Sequence, residues 1–351
     1  MKDKNISDQL QNSVEQAIQT KTKLIIKAGG SKDFYGRTTI GKELNISEHQ
    51  GIISYEPSEL FITVRAGTLL KDIESVLAEN NQMLAFEPPA FGDKATIGGT
   101  IACNLSGPRR AYSGAARDFV LGTKIINGQA EVLSFGGEVM KNVAGYDVSR
   151  LITGALGTLG ILLEVSLKVV PKPETEITLV HQLNIDQALL KMHQWSIQSI
   201  PISASCYYQN QLTIRLSSTE KYINTLQHLI GGEVLTDADS FWHSVKEQSH
   251  HFFDSKKPLW RLSIASNSEI TSQNDDTFYE WGGALRWVKT DVSQNHTAEP
   301  LNGHISLFRS PIKRNDTFQP LPKHLLQIHR NLKQAFDPHG IFNIGRMYQQ
   351  F

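Results

Sequence analysis

The residues best suited to chemistry lie in two glycine-dense pieces, Ala95-Thr-Ile-Gly-Gly-Thr-Ile-Ala-Cys103 and Lys141-Asn-Val-Ala-Gly-Tyr-Asp-Val-Ser-Arg-Leu-Ile-Thr-Gly-Ala-Leu-Gly-Thr-Leu-Gly-Ile161. Glycine weakens the interiors of helices and strands, so its repetition among apolar residues points to positive φ or to a close approach by another backbone or a ligand. A third piece, Ala28-Gly-Gly-Ser-Lys-Asp33, follows the apolar run Lys23-Leu-Ile-Ile-Lys27. A glycine loop after a strand exposes backbone N–H groups, and such a nest binds phosphate. It lacks the GxxxxGK[ST] spacing of a Walker loop, and neither it nor Gly154-Ala-Leu-Gly157-Thr-Leu-Gly160 has GxGxxG spacing. Tight turns in an ordinary α+β core would produce the same spacing, so the pattern alone leaves both readings open.

Other chemistries are poorly supplied. Cys103 and Cys206 are the only cysteines, too few for a disulfide framework, a four-cysteine zinc site or a cysteine-ligated iron–sulfur cluster. His243, His250 and His251 read as a solvated loop and not as a metal site, and His324 and His329 are not one helical turn apart. No metal site is expected. The 35 basic and 35 acidic residues cancel, which provides no strong basic field for nucleic acid.

The elements that must hold these pieces are legible in outline. The N-terminus reads as a helix with Leu10, Val14, Ala17 and Ile18 at helical spacing, not as a signal peptide, and this predicts a cytoplasmic protein. Gly51–Pro57 and Leu60–Ala66 read as strands, followed by a helix from about Leu69 to Ala78 with Thr68 as N-cap. Phe119–Ile126 and Ala130–Phe135 read as a hairpin closed by a two-residue Asn127-Gly128 turn. The stretch 151–170 is apolar but carries three glycines, Glu164 and Lys168, so a membrane span is not expected. At Pro171-Lys-Pro173 the composition turns polar, and a domain boundary is placed there. The expected organisation is 1–172 as one domain, 173–319 as a smaller α+β domain, and 320–351 as an amphipathic helix with Leu325, Leu326, Ile328, Leu332 and Phe336 on its apolar side, returning to the first domain.

Taken in order, Ala28-Gly-Gly-Ser31, Thr63-Val-Arg-Ala-Gly67, Ala95–Ala102 and Lys141–Ile161 resemble the PCMH-type FAD domain of the vanillyl-alcohol oxidase superfamily. Gly107-Pro-Arg-Arg110, Arg117–Gly122, Phe135–Asn142, Trp281–Trp287 and Gly345-Arg-Met-Tyr348 are similar to the FAD-binding E subunits of bacterial glycolate oxidases. The resemblance implies an α+β fold with an FAD domain of two α/β subdomains, a cap domain, and a closing C-terminal segment. It implies an FAD-dependent oxidation of glycolate to glyoxylate, with a second FAD-containing subunit and an iron–sulfur subunit as partners. Electrons would pass to quinone, with membrane contact only peripheral, at the inner membrane through the partners.

By motif, Gly29, Gly30, Ser31 and Lys32 would form the first cofactor loop, and Thr96, Gly98 and Gly99 the second. Asn142, Gly145 and Tyr146 would lie near the flavin ring, and Gly160 and Ile161 near the adenosine. Ser31 stands where relatives with a histidyl flavin carry His, which implies a non-covalent FAD. Three departures stand out. Ala155-Leu-Gly-Thr-Leu-Gly160 lacks an acidic residue found in many D-lactate dehydrogenases, Asn343-Ile-Gly-Arg346 replaces Asn-Pro-Gly-Lys, and the cap lacks the paired-His motif of catalytic relatives. In its place Asn302-Gly-His304 offers His304 as base, with Arg286 or Arg309 for a substrate carboxylate. The alternatives are a self-sufficient FAD-dependent D-2-hydroxy-acid dehydrogenase and a flavin-free structural subunit.

Overall fold

The computed structural model describes residues 3–137, 147–268, 276–291, 303–312 and 317–351. The helix Ser7–Thr20 buries Leu10, Val14 and Ala17, three residues that recur on one helical face. The helix Leu70–Glu79 buries Leu70, Ile73 and Leu77 in the same way. Both pack into a core with a five-stranded antiparallel sheet of order Ile52–Glu56, Phe61–Arg65, Ile161–Lys168, Val120–Ile126 and Val132–Gly136. Beside it, Leu24–Lys27 pairs in parallel with Lys42–Asn45, and Leu24 bridges to Phe342 from the far end of the sequence.

A second sheet of eight strands begins at Thr175. Its order is Glu233–Val234, Thr175–Gln182, Gln211–Ser218, Ile202–Tyr208, Thr277–Glu280, Leu285–Lys289, Leu259–Ile264 and Gly303–Arg309, antiparallel throughout. The helices Ile185–Ile197 and Glu220–Ile230 share one apolar cluster with it. A different cluster joins Trp242, Phe278, Trp287 and Phe308 of this half to Tyr35, Leu105 and Leu156 of the N-terminal half, so the halves share a packed seam. No helix among the described residues is long and apolar enough to cross a membrane.

Two local expectations are corrected. The helix begins at Leu70 with Leu69 as N-cap, because the Thr68 hydroxyl instead takes the Gly51 N–H at 2.9 Å and donates to the Gly51 carbonyl at 3.2 Å. The Asn127-Gly128 pair does not form a two-residue turn. Asn127 Oδ1 accepts from the N–H groups of Gln129 and Glu131, both at 2.9 Å, and the positive φ falls on Ala130. Gly128 serves another purpose: its N–H donates to the Phe336 carbonyl at 2.7 Å, and a Cβ there would lie 2.4 Å from Asp337 Oδ1. This docks the helix Lys323–Phe336. Its last turn is pinned by Lys333, whose buried Nζ donates to Asp337 Oδ2 at 2.6 Å and to the carbonyls of Thr158 and Phe342 at 2.7 and 2.9 Å. The apolar side of this helix is only partly covered, with Leu325 and Ile328 exposed.

Candidate flavin cleft

The first glycine loop and the second converge on a cleft of about 270 Å³, lined also by Cys103, Leu156, Asn343 and Arg346. The strand Leu24–Lys27 delivers Ala28–Asp33, and Gly30 turns the chain with φ +72°. Gly29 allows the two loops to touch, since a Cβ there would sit 1.5 Å from the Lys94 carbonyl oxygen. Thr96 starts the short helix Ile97–Cys103, its hydroxyl accepting from the Gly99 N–H at 3.3 Å. The two glycines within it differ. A Cβ on Gly98 would lie 2.8 Å from the Ala66 carbonyl, whereas one on Gly99 would meet nothing closer than Thr96 Oγ1 at 3.4 Å and would point into the cleft's lining.

Lys32 is buried at 6 % exposure, its Nζ 3.3 Å from the Ala90 carbonyl and 3.4 Å from Ser31 Oγ. It makes no ion pair among the described residues, and burial lowers its pKa, with partial relief from Cys103 and Glu247. A buried ammonium without a counter-ion is costly, so it fits an anionic guest. Cys103, at the floor, is a thiol that burial pushes up to about 11. Arg346 donates to the carbonyls of Arg37, Asp33 and Tyr35 at 3.0, 3.3 and 2.5 Å, which fastens the segment after the first loop. Asn343 does the same for the floor: its Oδ1 accepts from Ile26 N–H at 2.9 Å and its Nδ2 donates to the Leu156 carbonyl at 2.7 Å.

An adjoining hollow of about 80 Å³ is lined by Ile46, Gly157, Leu159, Gly160 and Leu162, and shares Ala28, Gly99, Leu156 and Asn343 with the cleft. It is apolar, whereas the cleft is polar: Lys27 is neutralised there by Asp33 and Glu43, and the Lys32 ammonium is left without an ion pair among the described residues. This pairing suits a ligand with an anionic middle and a flat apolar end. Gly160 borders the hollow and touches the Ile126 carbonyl too closely for a side chain, while Ile161 itself is fully buried in the core. Asn142, Gly145 and Tyr146 lie outside the described residues. Sequence reading did not single out Asn343, Arg346 or Cys103 as lining; the first two sat in a closing motif whose partners lie more than three hundred positions upstream.

The three residues offered for catalysis occupy three different surroundings. His304 is exposed on the strand Gly303–Arg309 at the sheet edge. Arg286 is fully buried, donating to the Gly283 and Ser268 carbonyls at 3.4 and 2.6 Å, with the Tyr279 ring 5.4 Å away. Arg309 stacks on Phe34 at 4.6 Å and approaches Phe91 at 5.5 Å, beside the first loop. None of the three lines the cleft.

The fold and the cleft define an FAD-binding protein of the oxidoreductase type: the family model described as "FAD binding domain" matches residues 6–136. A solved alkyldihydroxyacetonephosphate synthase superposes with a TM-score of 0.66 at 13% identity, covering 96% of this chain and 74% of that one. The chain is 44% identical over 347 residues to "Glycolate oxidase subunit GlcE" of Escherichia coli strain K12, covering 98% of each. It is 36% identical over 169 residues to "Glycolate oxidase subunit GlcD" of Bacillus subtilis strain 168, covering 47% of this chain and 36% of that one. The chain belongs to the glycolate oxidase subunit GlcE family.

Proposed function

We propose that this chain is the FAD-binding subunit of a glycolate oxidase that turns glycolate into glyoxylate, working with a second flavoprotein subunit and an iron–sulfur subunit that passes electrons on to quinone. The observation that carries this reading is the full-length GlcE likeness, borne by a chain whose two glycine loops enclose a cleft with the unpaired Lys32. FAD, when bound, supplies the acceptor for the hydride of a 2-hydroxy acid. The backbone N–H groups of Gly29, Gly30 and Ser31, with Lys32, hold its pyrophosphate; Thr96, Gly98 and Gly99 close over it; Gly160 borders the adenosine, with Ile161 behind it in the core. Asn142, Gly145 and Tyr146 complete the ring's surroundings. Membrane contact is peripheral, through the partners, on the cytoplasmic side.

The cofactor is held without a covalent link. The thiol of Cys103 stays protonated near neutral pH because burial raises its pKa, and Ser31 supplies no histidyl nitrogen. Purification with its partners, followed by acid precipitation, should release all the yellow colour and yield more than one FAD per copy of this chain, since the second flavoprotein carries its own; glycolate should bleach the bound flavin of the complex under nitrogen. A colourless complex would sink the reading, and a pellet that stays yellow would overturn the non-covalent link.

A further inference from the structure

A small cavity of about 20 Å³ lies at the seam between the two halves, and three polar side chains of its lining, Arg261, Gln248 and Glu280, bear on what it could hold. Arg261, on the strand Leu259–Ile264, makes no ion pair among the described residues; it lies 5.4 Å from the Trp281 ring and within electrostatic reach of Glu280 and Tyr35. Gln248 is buried, and its Oε1 has no partner. Glu280 is 5 % exposed, and its Oε1 accepts from Trp287 Nε1 at 2.7 Å. A second guanidinium without an ion pair among the described residues, Arg110, sits 4.4 Å from the same Trp281 ring. A cation, a carboxyl and an amide converging inside aromatic walls is the composition of a small-ligand site. Burial raises the Glu280 carboxyl to about 7, opposed by Trp287 and Arg261 and reinforced by Glu87, and Lys246 also borders the cavity.

We propose that this cavity is the subsite for a two-carbon 2-hydroxy acid, with Arg261 pairing with its carboxylate and Glu280 hydrogen-bonding its hydroxyl. The assignment rests on the reading given under Proposed function. Guanidinium is the side chain that meets a carboxylate best in a partly dry site. The cavity is also next to the glycine cleft: Phe91 borders it, and Lys32, which lines the cleft, has its Nζ 5.7 Å from the Phe91 ring. The open space matches about one water, so binding an acid requires Phe91 to turn aside. Phe91 is only partly buried and is held by ring contacts to Phe34 at 5.4 Å and Phe308 at 6.2 Å. With Leu105, Trp287 and Phe308 as the other walls, a side chain on carbon 2 has no place.

Trp281 and Trp287 adjoin the site, so tryptophan emission reports binding, read in protein whose flavin has first been reduced with dithionite so that turnover adds nothing to the signal. The flavin-containing protein, titrated with glycolate under nitrogen, should give a saturable change, and 2-hydroxybutyrate should need at least tenfold more to reach it. Arg261→Met should raise the half-saturating glycolate concentration at least tenfold while Arg261→Lys recovers part of the loss, with melting curves confirming that both variants are folded. Phe91→Ala should bring the two acids closer together. No saturable change in the parent protein, or an Arg261→Met titration superimposable on it, overturns the subsite. If that variant still bleaches with glycolate as the parent does, the subsite fails and the glycolate oxidase reading survives; a protein without FAD fails the reading, while the fluorescence titration still decides the subsite.

Discussion

Arg109 and Arg110 are neighbours in sequence, both close to the seam, and they meet opposite fates. Arg109 enters a closed ionic square with Glu87, Glu176 and Arg215. Its Nε lies 3.2 Å from Glu87 Oε1 and its NH2 2.5 Å from Glu176 Oε1, while Arg215 reaches the same carboxylates at 2.6 and 3.5 Å. Ser203 and Ser217 add hydrogen bonds to Glu176. Burial works to raise the Glu176 carboxyl, and Arg215 and Arg109 overcome it and hold it below its usual range. Arg110 and Arg261 make no ion pair among the described residues; burial lowers the pKa of both, and Asp118 and Glu280 respectively offset it only in part. The square joins Glu87 and Arg109 of the N-terminal half to Glu176 and Arg215 of the other, so its charges balance within the protein and fix the two halves together. Unbalanced buried charge marks a place where balance must come from outside.

The sharpest way to break this comparison is to unbalance the square. Glu87→Ala leaves Arg109 and Arg215 facing one acid instead of two, and loss of one partner from a buried pair costs about 3–5 kcal/mol. Denaturant unfolding should show that loss, and a change below about 1 kcal/mol would mean that the square does not hold the seam.

At the cavity the sign should reverse. Glu280 has a folded pKa of about 7 against 4.5 for an ordinary glutamate. Between those values the unfolded chain has released its proton and the folded one has kept it, so this group's contribution falls as pH rises from about 4.5 to about 7 and then stays low. At about 1.4 kcal/mol per pKa unit, Glu280→Gln should stabilise the protein by roughly 3 kcal/mol above pH 7 and by almost nothing near pH 4.5. Equal stability of the two proteins at pH 8 would show that the carboxyl is not desolvated as described. Arg261→Met, tested without added acid, should likewise be neutral or stabilising.

The glycine pair extends the contrast to the cleft. Gly98→Val must push against the Ala66 backbone, and overpacking of this kind costs about 1–3 kcal/mol. Gly99→Val meets open space and should lose less stability, yet abolish flavin binding, because its branches fill the cleft. Flavin absorbance and melting temperature separate the two, and a Gly99→Val protein with full flavin content would move the loop away from the cofactor. The smallest effect belongs to an exposed pair: Lys257 and Asp276 are 3.7 Å apart with both side chains about half exposed, so Lys257→Met should change stability by less than about 0.5 kcal/mol.

How much of this was legible follows the range of each signal. Local patterns were readable: the apolar spacing of Leu10, Val14 and Ala17, the strand before Gly29, and the order of the glycine pieces all lie within short windows. Thr68 and Asn127-Gly128 were misread because each has a tertiary partner, Gly51 and Phe336, that competes with the local cap or turn. The ionic square was invisible for the same reason, since Arg109 and Glu176 are 67 residues apart and Glu87 and Arg215 are 128 apart. Nothing in a string of residues separates a paired arginine from an unpaired one, so Arg286 and Arg309 drew attention while Arg261 did not. His304 was chosen for want of another base. Glu280 becomes a candidate only once its burial is known.

The strand that launches the first glycine loop is hydrogen-bonded through Ile26 to Asn343, across 317 positions, and the loop's far side is tied to Arg346. During synthesis, therefore, the glycine loops leave the ribosome long before the residues that tie them down. Ribosome-bound chains ending short of Asn343 carry the whole matched FAD-binding segment, residues 6–136, but not its closure. The first loop is thus fastened only once the C-terminal segment exists, so a chain truncated before Asn343 is expected to hold less FAD than the full chain, which the flavin content of the two purified proteins checks.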